Sequence, residues 1–302
     1  MDFTLTADQN ALVDAIDRIA APFDAKPIEF HGFALAGDAL ERELTDGEYF
    51  DVAQIPEFGA LTAALAVERL ARCACAAETA LSMLVRPQLP GDWPRPLAIV
   101  ENGRPGRFVA QARTLIVIDG DAASLARPQA GDVETVESIF AYPMGRLVGK
   151  PALTELSDAE AASVRKWIRV ALAAEAVGLI QAAIDSTVEH LSVRKQFGRP
   201  IGTFQALRHR MAECAVLAGG VRHLMRRAAW SGDDGDAALA AFHAQDSATR
   251  VCYEVHQMLG AMGMTLEHPL HLWTYRLKAL LAELGGRGGQ AQAVAQHVFA
   301  AA

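Results

Sequence analysis

The chain has 302 residues, of which 51% are apolar and 21% charged, with a formal net charge of −8. That length holds one large domain or two smaller ones, and the apolar fraction supports a sizeable core. The acidic balance argues against a nucleic-acid surface, and four cysteines without CxxC or zinc spacing read as buried free thiols, with no metal site.

Thr6 and Gln9 form a capping box that opens a helix through about Ile19, and Pro22 stops it. A short helix is expected over Asp38 to Leu44. A longer one is expected from about Phe58 to Val85, with Leu61, Leu65, Val67, Leu70, Ala74 and Ala77 on one face. Pro87, Pro90, Pro94 and Pro96 end this region. Between Leu97 and Met144 the texture changes. Ala98-Ile99-Val100 and Leu115-Ile116-Val117-Ile118 are β-branched runs bounded by Asn102-Gly103, Pro105-Gly106 and Asp119-Gly120-Asp121, as in a small β-domain.

Ser157 to Glu160 is a second capping box. It opens a helix to about Val193, followed by a helix from near Thr203, another over about Asp236 to Leu259, and a fourth over about Leu270 to Leu284. Gly285-Gly286 caps the fourth, and a last helix closes the chain. The expected fold is mainly α: N-terminal helices over 1–90, a reduced β-domain over 91–150, and a C-terminal four-helix bundle over 151–302. No window holds about 18 uninterrupted apolar residues, so no membrane span is expected. Asp2 and Asp8 without a long apolar run argue against a secretory signal, and a reducing cytoplasm is the expected setting.

Three segments stand out. The first is Arg194-Lys195-Gln196-Phe197-Gly198-Arg199-Pro200-Ile201-Gly202, running on through Phe204-Gln205. It is a polar, turn-rich interruption between two apolar helices. The second is Gln257-Met258-Leu259-Gly260-Ala261-Met262-Gly263. The third is Thr265-Leu266-Glu267-His268-Pro269. Arg222, Arg226 and Arg227 form a basic cluster that reads either as a solvated helix face or as a phosphate contact.

Together these segments resemble the signatures of the acyl-CoA dehydrogenase family. The resemblance is specific over about Ser157 to Leu284 and looser before it. It implies an FAD cofactor. Arg194 and Gln196 would hold its pyrophosphate, Phe197 would lie near the adenine, and Ile201 and Phe204 would add contacts. Gln257 and Gly260 would form the second cradle, where Ala261 replaces a family glycine. An arginine fork suits a diphosphate and a phenyl face suits an adenine. In the family these motifs reach across to flavin held mainly by a neighbouring subunit. Glu267 is taken as structural, closing a helix N-terminus.

The usual family reaction is α,β-desaturation of an acyl-CoA thioester, with a carboxylate as base. The family's base position falls on Leu284, which cannot accept a proton, and the alternative on the first bundle helix falls on Ile168. Glu283 is the adjacent candidate, and Glu175 reads as a structural polar group. The family's Thr-Glu-Pro and Trp-Ile-Thr strings are missing. The resemblance therefore implies a shortened subunit of an α2β2 acyl-CoA dehydrogenase. Its partners would be a homologous subunit, an acyl-CoA substrate such as a steroid side-chain thioester, and an electron-transfer flavoprotein or similar acceptor. The alternatives are a self-sufficient homo-oligomer using Glu283, or a scaffold that has lost flavin.

Overall fold

The computed structural model describes residues 3–300, so Asp2 lies outside the described residues. Both capping boxes form. Thr6 N donates to the Gln9 side chain at 2.9 Å, and Gln9 N donates back to the Thr6 hydroxyl. Ser157 and Glu160 repeat the arrangement. They open α1 (Ala7–Ala20) and α5 (Asp158–Val193). Between these lie α2 (Asp38–Asp46), α3 (Gly59–Ala71) and α4 (Ala80–Leu84).

The single helix expected from Phe58 to Val85 is two helices, α3 and α4, separated by a buried, non-helical stretch over residues 72–79. Local propensity favours helix there, and long-range hydrogen bonds override it. Ala74 N donates to Phe23 O, and Ala76 N to Leu35 O, both at 2.8 Å. Arg276, only 2% exposed, donates to Cys73 O and Cys75 O at 2.6 and 3.0 Å. Trp273 Nε1 donates to Arg72 O at 2.9 Å. Cys73 and Cys75 consequently sit in this loop rather than in a helix. All four cysteines are buried and unpaired. Burial pushes the Cys73 and Cys252 thiols up to about 12, so both are inert at neutral pH.

The β-domain is two small sheets. β1 (Leu97–Glu101), β3 (Thr114–Asp119), β4 (Ala122–Ala126) and β7 (Leu153–Glu155) form one, in the order β1-β3-β4-β7. β1 and β3 are parallel, and the other pairs are antiparallel. β2 (Gly106–Arg107), β5 (Val133–Val136) and β6 (Met144–Leu147) form the second, in the order β2-β6-β5.

The helical half is built round α5. Residues 170–180 are buried without a break, so the middle of this helix is enclosed on every side. It is long and apolar enough to cross a membrane, but 89% of that window is covered by the rest of the protein. Around it pack α3, α6 (Gln205–Ser231), α7 (Asp234–Leu259) and α8 (Leu270–Leu280). α9 (Gly286–Ala300) lies against α7. α8 ends four residues short of the expected Leu284, and Leu284 itself adopts a left-handed conformation (φ 53°) that no right-handed helix can include. Gly178 sets the approach of α5 to α3: a Cβ there would lie 2.2 Å from Glu68 O.

Candidate functional site

Arg194 ends α5. Its N–H still donates to His190 O, while its carbonyl accepts from Ile201 N at 2.8 Å, which closes the intervening loop. Within it β8 (Lys195–Gln196) pairs with β9 (Arg199–Pro200) around Phe197 (φ 52°) and Gly198 (φ 79°). Two consecutive left-handed residues give a tight hairpin turn, which glycine adopts freely and phenylalanine only under strain. The turn holds the Phe197 ring 88% exposed. Phe204 meets that ring edge-on at 5.9 Å, and the Arg199 guanidinium lies over Phe204 at 4.2 Å. Arg194 and Gln196 are exposed as well. Among the described residues the Arg194 guanidinium has no hydrogen bond or ion pair.

Gln257 and Gly260 lie at the C-terminal end of α7, both exposed. Gly260 has φ 59°, and a Cβ built on it would meet only open space. α6 and α7 run antiparallel, with Arg210 paired to Glu254 at 2.6 Å and Arg250 to Glu213 at 2.5 Å. Extending that register by about two turns sets Phe204 level with Gly260. The two glycine-containing turns therefore share one end of the α6–α7 pair. Beside them a groove of about 610 Å³ is lined by Tyr253, His256, Gln257, Met264, Tyr275 and Lys278.

In the third segment the capping role expected of Glu267 belongs to His268. Leu270 N donates to His268 Nδ1 at 3.2 Å, whereas Glu267 is exposed. His268 sits edge-on to His190 at 5.7 Å. Burial first, then the His190 charge, lower the His268 pKa from 6.5 to about 4. A histidine depressed in the fold contributes stability above its unfolded pKa and loses it as pH falls through the folded one. The melting temperature is therefore expected to fall from about pH 6.5 towards pH 4, and His268→Gln should flatten that slope.

Two arginines of the basic cluster are paired, and the third, Arg226, has a buried Nε without an acceptor among the described residues. Arg222 pairs with Glu68 at 2.5 Å and donates to Gln181, and Arg227 pairs with Asp236 at 2.8 Å.

The candidate base lies elsewhere. Glu283 and Glu175 share one arginine that the sequence did not single out. Arg107 Nε donates to Glu283 Oε1 at 2.5 Å, and Arg107 Nη1 to Glu175 Oε2 at 2.7 Å. Tyr142 Oη donates to the other Glu175 oxygen at 2.6 Å. Arg107 is 5% exposed, Glu175 6% and Glu283 16%. Burial raises the Glu283 pKa, and the Arg107 charge opposes that rise. Glu283 also walls a cavity of about 120 Å³ between β1–β2 and α8, with Ile99, Arg104, Met144 and Lys278. Ile168 is core at 1% exposure. Leu284 N donates to Glu101 Oε2 at 3.0 Å. The one available signal for Arg107 was an arginine amid the apolar run that follows it, Phe108-Val109.

Residues 161–299 match the family described as acyl-CoA dehydrogenase, C-terminal domain. The C-terminal half of the chain is an acyl-CoA dehydrogenase C-terminal domain by this match. It is 31% identical over 205 residues to acyl-CoA dehydrogenase FadE34 of Mycobacterium tuberculosis, covering 64% of this chain and 29% of that one. It is 31% identical over 192 residues to acyl-CoA dehydrogenase IpdE2 of Mycolicibacterium smegmatis, covering 61% of each. The chain thus spans less than two thirds of these acyl-CoA dehydrogenases. Two solved structures share the fold over 99% of both chains: the ChsE4–ChsE5 complex from Mycobacterium tuberculosis (TM-score 0.73, 21% identity) and the Tcur3481–Tcur3483 steroid ACAD variant (TM-score 0.77, 20% identity). Acyl-CoA dehydrogenase architecture therefore extends through the N-terminal and β regions, beyond the family match.

Proposed function

We propose that this chain is one subunit of a heteromeric, cytoplasmic, FAD-dependent acyl-CoA dehydrogenase, and that it lends half of a flavin site to a homologous partner subunit. The observation that carries this reading is the Arg194–Phe204 hairpin. It holds an exposed aromatic face and an unpaired guanidinium in a strained turn, level with Gln257 and Gly260. An exposed guanidinium with no partner among the described residues is available to a ligand from outside the chain.

These residues fit an adenine diphosphate. Arg194 and Gln196 would bind the pyrophosphate, Phe197 and Phe204 would flank the adenine, Ile201 would support the turn, and Gln257 would reach the nucleotide over the open backbone at Gly260. Bound FAD supplies the hydride acceptor for desaturation of an acyl-CoA thioester. The proton acceptor would come from the partner. In this chain Leu284 and Ile168 are apolar, and Glu283 is bound to Arg107. The steroid ACAD likeness supports a bulky steroid side-chain thioester as substrate, with an electron-transfer flavoprotein or similar acceptor taking the electrons.

Co-expression with the product of the neighbouring gene, followed by a visible spectrum and FAD quantitation, tests the proposal. Fewer FAD than chains is expected in the complex, with none retained by this subunit alone. One FAD per chain in the isolated subunit would sink the half-site. Arg194→Ala should weaken FAD retention in the complex by about 10- to 100-fold, the size of a lost charge-assisted hydrogen bond.

The second reading, in which Glu283 is the base of a self-sufficient enzyme, has one supporting observation: Glu283 borders a cavity. Turnover of dye by the isolated chain with an acyl-CoA, abolished by Glu283→Gln, would establish it.

A further inference from the structure

Two guanidinium groups on α5 lack a hydrogen-bonded carboxylate among the described residues. Arg165 and Arg169 stand one helical turn apart on the same face, and both are half-buried. Arg169 Nε donates at 2.8 Å to Oε1 of Gln290, a neutral side chain fully buried in the first turns of α9. The carboxylate nearest Arg165 is that of Asp121, 3.9 Å away on the fully exposed β3–β4 turn. Arg165 Nη1 is buried and has no acceptor among the described residues. Burial, then the Arg165 charge, make Arg169 harder to protonate. Asp234 at the start of α7 is the other opposing charge, and it is exposed too. Arg287, on α9, is committed to Asp246 at 2.7 Å. Arg107 makes the contrast, since it is more deeply buried and meets two carboxylates.

We propose that Arg165 and Arg169 form a binding site for an oxyanion, a carboxylate or a phosphate, where α5 meets the β3–β4 turn and the starts of α7 and α9. A two-oxygen anion accepts from two guanidinium forks at once and cancels their repulsion. Gln290 acts as a positioning residue: its carbonyl holds Arg169, while its amide donates to Leu284 O at 3.2 Å. Buried Trp167 and Ile168 lie between the two arginines and fix the rotation of α5. The site is separate from the flavin half-site, because Arg194 lies roughly 38 Å further along the same helix.

The test measures the melting temperature of the purified chain in sodium phosphate, sodium succinate and sodium chloride at matched ionic strength, for the wild type and for R165Q/R169Q. The wild type is expected to gain several degrees, saturably, in at least one oxyanion over chloride. The double variant should lose that gain, yet melt in chloride no lower than the wild type, because the like-charge pair is gone. A gain only in phosphate assigns a phosphate-bearing ligand, and a gain only in succinate a carboxylate. No gain over chloride in either, or an equal gain in the double variant, overturns the site.

Discussion

Arg107→Met is expected to destabilise the fold by about 3–5 kcal/mol, the cost of leaving buried charge without its partner. Two carboxylates depend on this one guanidinium, and Tyr142 can satisfy only one oxygen of one of them. Urea denaturation at pH 7 measures the loss. The pH dependence gives a second readout. Without Arg107, burial raises Glu283 further above its unfolded value. A carboxylate raised in the fold contributes stability at low pH and loses it as pH rises through the folded pKa. The gap between variant and wild type should therefore narrow as pH falls towards 4. Neutralising all three groups together, as R107M/E175Q/E283Q, should recover much of the loss, because the desolvation of the ions disappears with them. A loss under about 1 kcal/mol for Arg107→Met would mean that water reaches these carboxylates.

Gly178→Ala is expected to cost about 2–3 kcal/mol, against the usual sign of the substitution. Glycine to alanine inside a helix normally gains about 1 kcal/mol from propensity. At Gly178 the new methyl would sit 2.2 Å from Glu68 O and 2.8 Å from Ala71 Cβ. One obstacle is backbone, so α3 and α5 must move apart. Gly219 on α6 is the control, since a Cβ there meets nothing within 4 Å. Gly219→Ala should gain about 0.5–1 kcal/mol. If both variants shift in the same direction, the α3–α5 contact is looser than described.

The features legible in the sequence are local ones. The capping boxes at Thr6 and Ser157 need only four consecutive residues, and the turn at Gly198 shows as a glycine and a proline in a short polar stretch, although its β8–β9 pairing does not. The long apolar stripe of α5 follows from composition alone. The break at residues 72–79 was hidden because the groups that hold it open, Arg276 and Trp273, come some 200 residues later. The Arg107 cluster was hidden for the same reason. Its members come from β2, the β5–β6 loop, α5 and the turn after α8, and no one of them carries a pattern by itself. Glu283 was legible as a carboxylate near the family's base position. Its engagement with an arginine from the β-domain was not.

The Arg276 clamp also bears on how the chain acquires its shape during synthesis. The carbonyls of Cys73 and Cys75 find their donor only when α8 exists, about two thirds of the chain length later. Until then the first ninety residues can form α1, α3 and the bonds from Ala74 and Ala76 to Phe23 and Leu35, but the Cys73 and Cys75 carbonyls stay without their donor. The loop between α3 and α4 is thus completed late although it is made early. Such long-range closure slows folding and leaves the early segment exposed to aggregation on the ribosome. Truncation before residue 270 would leave that loop without its donors, so the amino-terminal third is a dependent part of the molecule rather than an autonomous module.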